Sequence, residues 1–526
     1  MLKKLHGRKL AVCLLGGAMY ALFSAFGWQA EHGGVIWSGG ALLVAALLVW
    51  PIAALLAVLL ERGYTRALRQ EKTFRARRAF AFMLACYVPM FCVAFPGSFA
   101  YDVPYQLRQV VTGAYSTHHP LLHTLALGGL LQLGRALGDI NLGAALYTAL
   151  QMALLAGCFA LTCGLIARQS GARAAKRAAV FFALYPLNMV MAVNATKDVL
   201  FGGFFALTLA LLNEIQEKPS RGLALKIAAC GALAVMLRNN MAYAALVWLA
   251  ILTIGLRKAE KSAVLAMLLA LTVGFCGNAA LKHATRAESG DMSEMLSWPI
   301  QQLARARLYD EERLTDAEKE AIDELMPGEA WACYDPTISD PVKFEFDTQA
   351  FRADVKKYVG VWLSVGKKCA GTYLDATMAL TYPFFYPYRE YRVSGYYVQM
   401  GMSDAYDAGW CDFDPPESRS LFPRVLASLS WRFGAKGAMQ IPVVGWLFNM
   451  GVIVWTMLFF ALREMYWGRW RRFGTALLPV LLWGTFLLGP VMAGRYIYPF
   501  VCALPVLAAR PGRIVKEAER RSARKL

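Results

Sequence analysis

Charge is scarce in this chain. Only 17% of its 526 residues are Asp, Glu, Lys or Arg, where an ordinary soluble domain carries about a quarter. Histidine is scarcer still, with six in all. No G-x-x-x-x-G-K-[ST] loop and no G-x-G-x-x-G between a strand and a helix is present, which argues against a nucleotide-using cytoplasmic domain. No G-x-S-x-G elbow or H-E-x-x-H helix occurs either, so neither a nucleophile-elbow hydrolase nor a zincin is indicated. Internal repeats, low-complexity linkers and heptad arrays are likewise missing. What fills the space is apolar: 57% of residues are hydrophobic and the mean hydropathy is +0.40. These residues run in blocks of about twenty, the length that spans a bilayer. A cytosolic enzyme is excluded.

The blocks fall near 10–28, 35–60, 79–96, 141–167, 178–195, 198–216, 222–237, 240–256, 262–281, 440–462, 475–492 and 495–510. They predict about twelve transmembrane helices in an all-α polytopic membrane protein. The basic start MLKKLHGRKL is also the pattern of a leader peptide. A long first block with a second close behind it reads instead as two spans.

The formal net charge of +19 takes its meaning from where it sits. Basic residues cluster at 3–9, 62–78, 168–177, 218–226, 257–261, 463–472 and 510–525. All fall on one side if 119–138 does not cross the membrane. Short loops rich in Lys and Arg stay cytoplasmic. Both termini are therefore expected inside the cytoplasmic membrane, with 119–138 lying against the outer face. No aromatic-interleaved basic surface accompanies the charge, so nucleic acid is not expected as a partner.

This topology divides the chain into a transmembrane module at 1–281 with a first external loop at 97–140, an external segment at 282–440, and C-terminal helices with a basic tail at 441–526. The external segment, about 160 residues, is long enough for a small, mainly helical domain. Eleven cysteines lie mostly inside spans; Cys333, Cys369 and Cys411 are external and leave any pairing open.

Ionisable groups at span ends are costly and mark candidate sites. Asp102 opens the first external loop between aromatics. It could take a proton from an acceptor hydroxyl or bind a divalent cation, or simply cap a helix. Tyr101 and Gln106 flank it. His118, His119 and His123 follow; His119 and His123 are spaced i and i+4, so Asp102, His119 and His123 form a candidate metal set, against a plain packing role. Three hairpin tips bring further charge to the same side: Lys197 and Asp198, Arg238 and Asn239, and Arg495 with Tyr496. Singly each cation could anchor to lipid phosphate. Together they could form a basic pocket for a phosphate or pyrophosphate. Met292, Met295, Leu296 and Ile300 suggest a helix packing the external domain onto the membrane. Tyr382, Phe384, Phe385, Tyr386 and Tyr388 fit either a sugar or polyprenyl-chain site or an interfacial aromatic belt.

The segments PGSFAYDVPYQ, STHHPLLHT, NATKDV, LRNNMAY, SWPIQQLAR, YDPTISDPVK and GRYIYP resemble those of an uncharacterised bacterial family of multi-pass membrane proteins. The layout, with an acidic residue early in a large first external loop and a late external domain, resembles the GT-C superfamily of integral-membrane glycosyltransferases. That resemblance implies transfer of a sugar from a polyprenyl-phosphate lipid donor to an extracytoplasmic glycan or protein acceptor. It also implies Asp102 as base or metal ligand, with His118 or His119 orienting acceptor or donor. Arg495 would hold the donor phosphate, Lys197 and Arg238 would assist, and a divalent metal is the one cofactor that arises. Two departures from the GT-C pattern stand out: Tyr101–Asp102 supplies one carboxylate where two are common, and His118-His119-Pro120 replaces Pro-Pro-Leu. A transporter or flippase of an envelope lipid, or a wall-polymer polymerase or ligase, is the alternative. A transporter usually shows internal repeats and midplane charges, neither of which the sequence displays.

Overall fold

The computed structural model describes residues 7–33, 38–62, 74–100, 102–256, 261–387, 398–402, 415–434 and 441–510. Among these the regular secondary structure is helical, and β-pairing is limited to isolated bridges. Twelve α-helices occupy the described residues up to 285: α1 (Gly7–Glu31), α2 (Gly39–Arg62), α3 (Ala76–Val93), α4 (Val103–Thr112), α5 (Leu121–Ala136), α6 (Ile140–Ser170), α7 (Ala172–Leu184), α8 (Pro186–Ala192), α9 (Lys197–Glu217), α10 (Arg221–Leu237), α11 (Asn239–Ala250) and α12 (Lys261–Thr285). Three more, Met450–Tyr466, Trp470–Leu487 and Tyr498–Ala508, close the bundle.

Among the described residues six helices are long and apolar enough to cross a membrane: α1, α2, α3, α6, α9 and α12. Leucines and valines remain exposed along α2 and α12, as expected of a protein whose solvent is lipid. The other apolar blocks are shorter, broken or less apolar. Block 178–195 is divided at Tyr185, whose extended backbone precedes Pro186; the residue before a proline is driven out of the helical region. Block 440–462 begins its helix only at Met450, and the last apolar helix spans Gly494–Ala508. Helix α5 has 16 residues, about 24 Å, short of the hydrocarbon thickness.

Helix α9 is the axis of the bundle. Its span is 89% buried, and it packs against α6, α10 and Tyr498–Ala508. Small residues permit the approach: a Cβ on Gly202 would sit 2.9 Å from Cys502 Sγ and 3.0 Å from the Tyr498 ring. Close backbone contact through small residues is how helices associate where lipid removes a hydrophobic drive. Charged groups collect at the two ends of α9. Arg168 pairs with Glu214 and Arg472 with Glu217 at one end, and Lys197 and Asp198 begin the other.

Residues 292–373 form a second helical unit with its own core, including Ile300, Leu303, Ile322, Leu325, Phe351 and Val365. It is tied to the bundle by specific bonds. Trp298 Nε1 donates to the Leu487 carbonyl at 2.6 Å, and Ser339 N to that of Pro490 at 2.9 Å. Gln301 holds the 335–338 turn through the carbonyls of Asp335 and Ile338, and Ile338 bridges to Val491. The SWPIQQLAR and YDPTISD segments thus position the strand-like stretch just before Arg495. Of the apolar residues expected to dock this unit, Ile300 is buried in its core while Met295 is exposed; Met292 and Leu296 pack against that core.

One expectation is corrected. Tyr382, Phe384 and Phe385 form neither an open aromatic site nor a belt, because they are buried in the main core. Phe385 lies 4.7 Å from Phe23, and its carbonyl accepts from Trp455 Nε1 at 2.7 Å. Tyr386 is partly buried against the same core, and Tyr388 lies outside the described residues. Cys333 and Cys369 are both free thiols; Cys411 also lies outside them.

Candidate functional site

Asp102 is the first residue of the site. It occupies the N-cap of α4, yet its side chain makes no capping bond. The carboxylate turns instead to groups from two distant tips. Lys197 Nζ donates to Oδ2 at 2.9 Å. Arg495 reaches both oxygens, Nη1 to Oδ2 at 3.0 Å and Nη2 to Oδ1 at 3.3 Å. His119 Nδ1 stands 3.8 Å from Oδ2 and 3.4 Å from Lys197 Nζ.

The second carboxylate is Asp198, fully buried in the first turn of α9. Arg238 donates to its Oδ1, Thr196 Oγ1 to its Oδ2 at 3.3 Å, and Arg495 Nε lies 3.9 Å from Oδ2. Adjacent in sequence, Lys197 and Asp198 do not pair with each other. They point to different partners and link the two carboxylates through Arg495. The Arg238 guanidinium lies 4.4 Å from the Phe486 ring centre and 4.6 Å from that of Tyr496, where the negative ring faces favour a cation.

Three cations face two carboxylates, so the cluster keeps one positive charge while His119 is neutral. Burial works to raise the Asp102 pKa. The facing charges of Arg495 and Lys197 outweigh it and hold the carboxyl well below the usual carboxylate range. Burial also keeps the His119 imidazole well below its ordinary value, only partly opposed by Asp102. The site therefore combines an ionised carboxylate, a neutral imidazole and a surplus cation. Such an arrangement suits an anion.

His123 has a different task. Gln106 Nε2 lies 3.0 Å from its Nδ1 and donates to Thr124 Oγ1 at 3.0 Å. Nε2 of His123 lies 2.9 Å from Tyr147 Oη, Tyr147 donates to Gln151 Oε1 at 3.0 Å, and Gln151 Nε2 to the carbonyls of Ala192 and Asn194, both at 3.0 Å. Gln106 Oε1 also lies 3.1 Å from Nδ1, so the amide meets the ring with either of its ends and the ring takes its proton on either nitrogen. This relay fastens α5 and α6 to the turn before Lys197. Burial pushes the His123 pKa down to about 3, so it stays neutral.

The Asp102–His119–His123 metal set is accordingly not assembled. Both ring nitrogens of His123 are engaged, and Lys197 and Arg495 stand where a cation would. Among the described residues no group of three or more His, Cys, Asp or Glu is arranged to hold a metal. The donor set does not fit one.

Other expected residues divide. Gln106 is buried in the relay and does not face the cluster. His118 is exposed, edge-on to His119 with ring centres 4.5 Å apart, on a loop pinned by Thr117 N to the Glu288 carbonyl at 2.8 Å. Asn239 is exposed at the start of α11; its neighbour Asn240 is the engaged one, donating to Thr485. Tyr496 belongs to the cluster through Arg238. Tyr101 lies outside the described residues. The sequence reading missed Tyr147, Gln151 and Phe486. A glutamine inside the apolar run of α6 was the available signal for the relay, since a buried amide demands partners.

Neither a curated protein nor a solved structure matches the chain. One family model does, over residues 110–525; the match takes in His119, Lys197, Asp198, Arg238 and Arg495 and starts eight residues after Asp102. Covering more than three quarters of the sequence, it makes this chain a member of the family of unknown function DUF6020.

Proposed function

We propose that this protein is a membrane glycosyltransferase of the GT-C type, moving a sugar from a polyprenyl-phosphate donor to an acceptor on the outer face of the cytoplasmic membrane. The observation that carries the reading is the convergence of Lys197, Arg238 and Arg495 on Asp102 and Asp198 at one end of the bundle. In this reading about twelve segments cross the membrane, both termini are cytoplasmic, and that end faces outward.

The chemistry follows from the charges. An acceptor hydroxyl oxygen attacks the anomeric carbon, the bond from that carbon to the phosphate oxygen breaks, and the lipid phosphate leaves with the electron pair. Lys197 and Arg495 neutralise it; such preorganised stabilisation is usually the largest catalytic contribution. Asp102 receives the acceptor proton. While Arg495 and Lys197 hold it, Asp102 is a weak base. The donor phosphate competes for both cations, and as they turn to it the carboxylate regains basicity. His119, neutral and beside Lys197, is placed to orient the acceptor.

The test incubates purified protein with radiolabelled polyprenyl-phosphate sugars. Wild type is expected to consume donor, with Asp102→Asn and Arg495→Ala strongly impaired. Failure of wild type to bind or consume any donor, together with lipid translocation in vesicles, overturns the reading. EDTA is expected to leave turnover unchanged; loss that a divalent cation restores contradicts the poor fit of the donor set. A cysteine placed at position 140 should label from outside, and labelling only from the cytoplasm would contradict the outward-facing site.

A further inference from the structure

The far end of α9 carries a second cluster that plays no part in the chemistry above. There a cavity of about 690 Å³ opens between Asn213, Gln216 and Glu217 of α9 and the turn Gly468–Arg472. Three of its walls are arginines, Arg469, Arg471 and Arg472, against one carboxylate, Glu217.

Most of the polar groups around the cavity are already committed. Gln216 donates to Thr475 at 2.8 Å, and its carbonyl accepts from Arg471 Nη1 at 2.9 Å. Arg469 lies 2.9 Å from Glu464, which also holds Arg463 at 2.7 Å. Two groups differ. Asn213 is 5% exposed, and its Oδ1 has no hydrogen-bond partner among the described residues. Arg472 donates through Nη1 to the Ala509 carbonyl at 2.8 Å. Its buried Nη2 makes no hydrogen bond among the described residues and stands 3.6 Å from Glu217. A buried acceptor without a partner and a buried guanidinium nitrogen held only by a long ion pair to Glu217 thus border the same cavity. Unmet buried polar groups are costly, and here a ligand would meet both.

The pair defines the ligand. Arg472 requires an anionic oxygen, and Asn213 Oδ1 requires a donor, which a phosphate dianion lacks and a hydroxyl supplies. Trp470, on the same rim, is a residue favoured at headgroup depth. Basic pockets between helices on the cytoplasmic side suit lipid headgroups. The turn Gly468–Arg472 lies within the basic cluster that the proposed topology places there.

We propose that this cavity binds a phosphate group bearing a hydroxylated substituent, supplied by a phosphoglycerol-type lipid headgroup of the cytoplasmic leaflet. The phosphate sits against Arg472 and the hydroxyl donates to Asn213.

The test reconstitutes the full chain, delipidated, with phosphatidylglycerol, phosphatidic acid or phosphatidylcholine and reads retained lipid by native mass spectrometry. Phosphatidylglycerol is expected to be retained severalfold over phosphatidylcholine. Arg472→Gln is expected to lower that retention roughly fivefold, the effect of removing one basic group at an anionic surface. Asn213→Leu is expected to abolish the preference for phosphatidylglycerol over phosphatidic acid while the anion preference stays. Equal retention of phosphatidylglycerol and phosphatidylcholine by wild type overturns the proposal, as does unchanged selectivity in both variants. Displacement of the lipid by millimolar glycerol 3-phosphate would keep the binding chemistry but overturn the lipid source. If Arg472→Gln does not fold, Asn213→Leu alone carries the test, an unchanged preference for phosphatidylglycerol over phosphatidic acid counting against the site.

Discussion

Arg495 grips the Asp102 carboxylate with both terminal nitrogens, at 3.0 and 3.3 Å, across almost four hundred residues of chain. This bidentate pair joins the N-cap of α4 to the start of the last apolar helix, and it sets the resting state of the site.

Arg495→Lys keeps the charge but loses the fork, since an ammonium cannot hold two oxygens in one plane. Hydrogen bonds to charged groups contribute about 1.5–3 kcal/mol each, so donor consumption is expected to fall by about 10- to 100-fold. Radiolabelled donor turnover measures it; wild-type turnover in the variant would show that the bidentate geometry has no role.

Arg238→Gln leaves Asp198 buried with the Thr196 hydroxyl and the more distant Arg495. Removing one partner of a buried pair costs about 3–5 kcal/mol, so thermal unfolding in detergent should shift markedly downward. Adding Asp198→Asn is expected to recover part of the loss. A double variant no better than the single one would mean that the two side chains are not coupled.

Proton occupancy at the site should not change near neutrality. Asp102 is depressed, so its stabilising contribution is fully present above its unfolded value and is lost only as pH falls through the lower folded one. His119 is depressed too, hence uncharged through the neutral range. Donor binding by the protein is therefore expected to be flat between about pH 6 and 8. A transition centred near 6.5 that vanishes in His119→Gln would contradict this.

Gly202→Val touches no charge but presses against Cys502 and Tyr498, one turn from Asp198 and behind Arg495. Overpacking of this kind costs about 1–3 kcal/mol. Donor turnover should drop more than in Gly157→Ala, where a Cβ meets nothing within 4 Å. Equal activity of the two variants would free the Arg495 segment from dependence on this packing.

Much of the site was legible because charge at the end of an apolar run is rare enough to stand out. Lys197, Asp198, Arg238 and Arg495 were found that way. Their pairing was not. Nothing in NATKDV tells that Lys197 turns to Asp102 while Asp198 turns to Arg238, since partners come from tips far apart in the chain. Tyr382, Phe384 and Phe385 show the opposite failure. An aromatic run looks the same in a belt, a sugar site or a core, and only the packing of Phe23 and Trp455 decides. His123 was likewise ambiguous until Gln106 and Tyr147 were seen on either side of its ring.

The order of the tips along the chain has a consequence for synthesis. Asp102, Lys197, Asp198 and Arg238 all leave the ribosome long before Arg495, which bridges the two carboxylates. A nascent chain holds these groups as an open circuit, tolerable only while water or lipid phosphate attends them. The last apolar helix closes it, so release of a chain stopped before that helix should hand quality control an uncovered, charged bundle end.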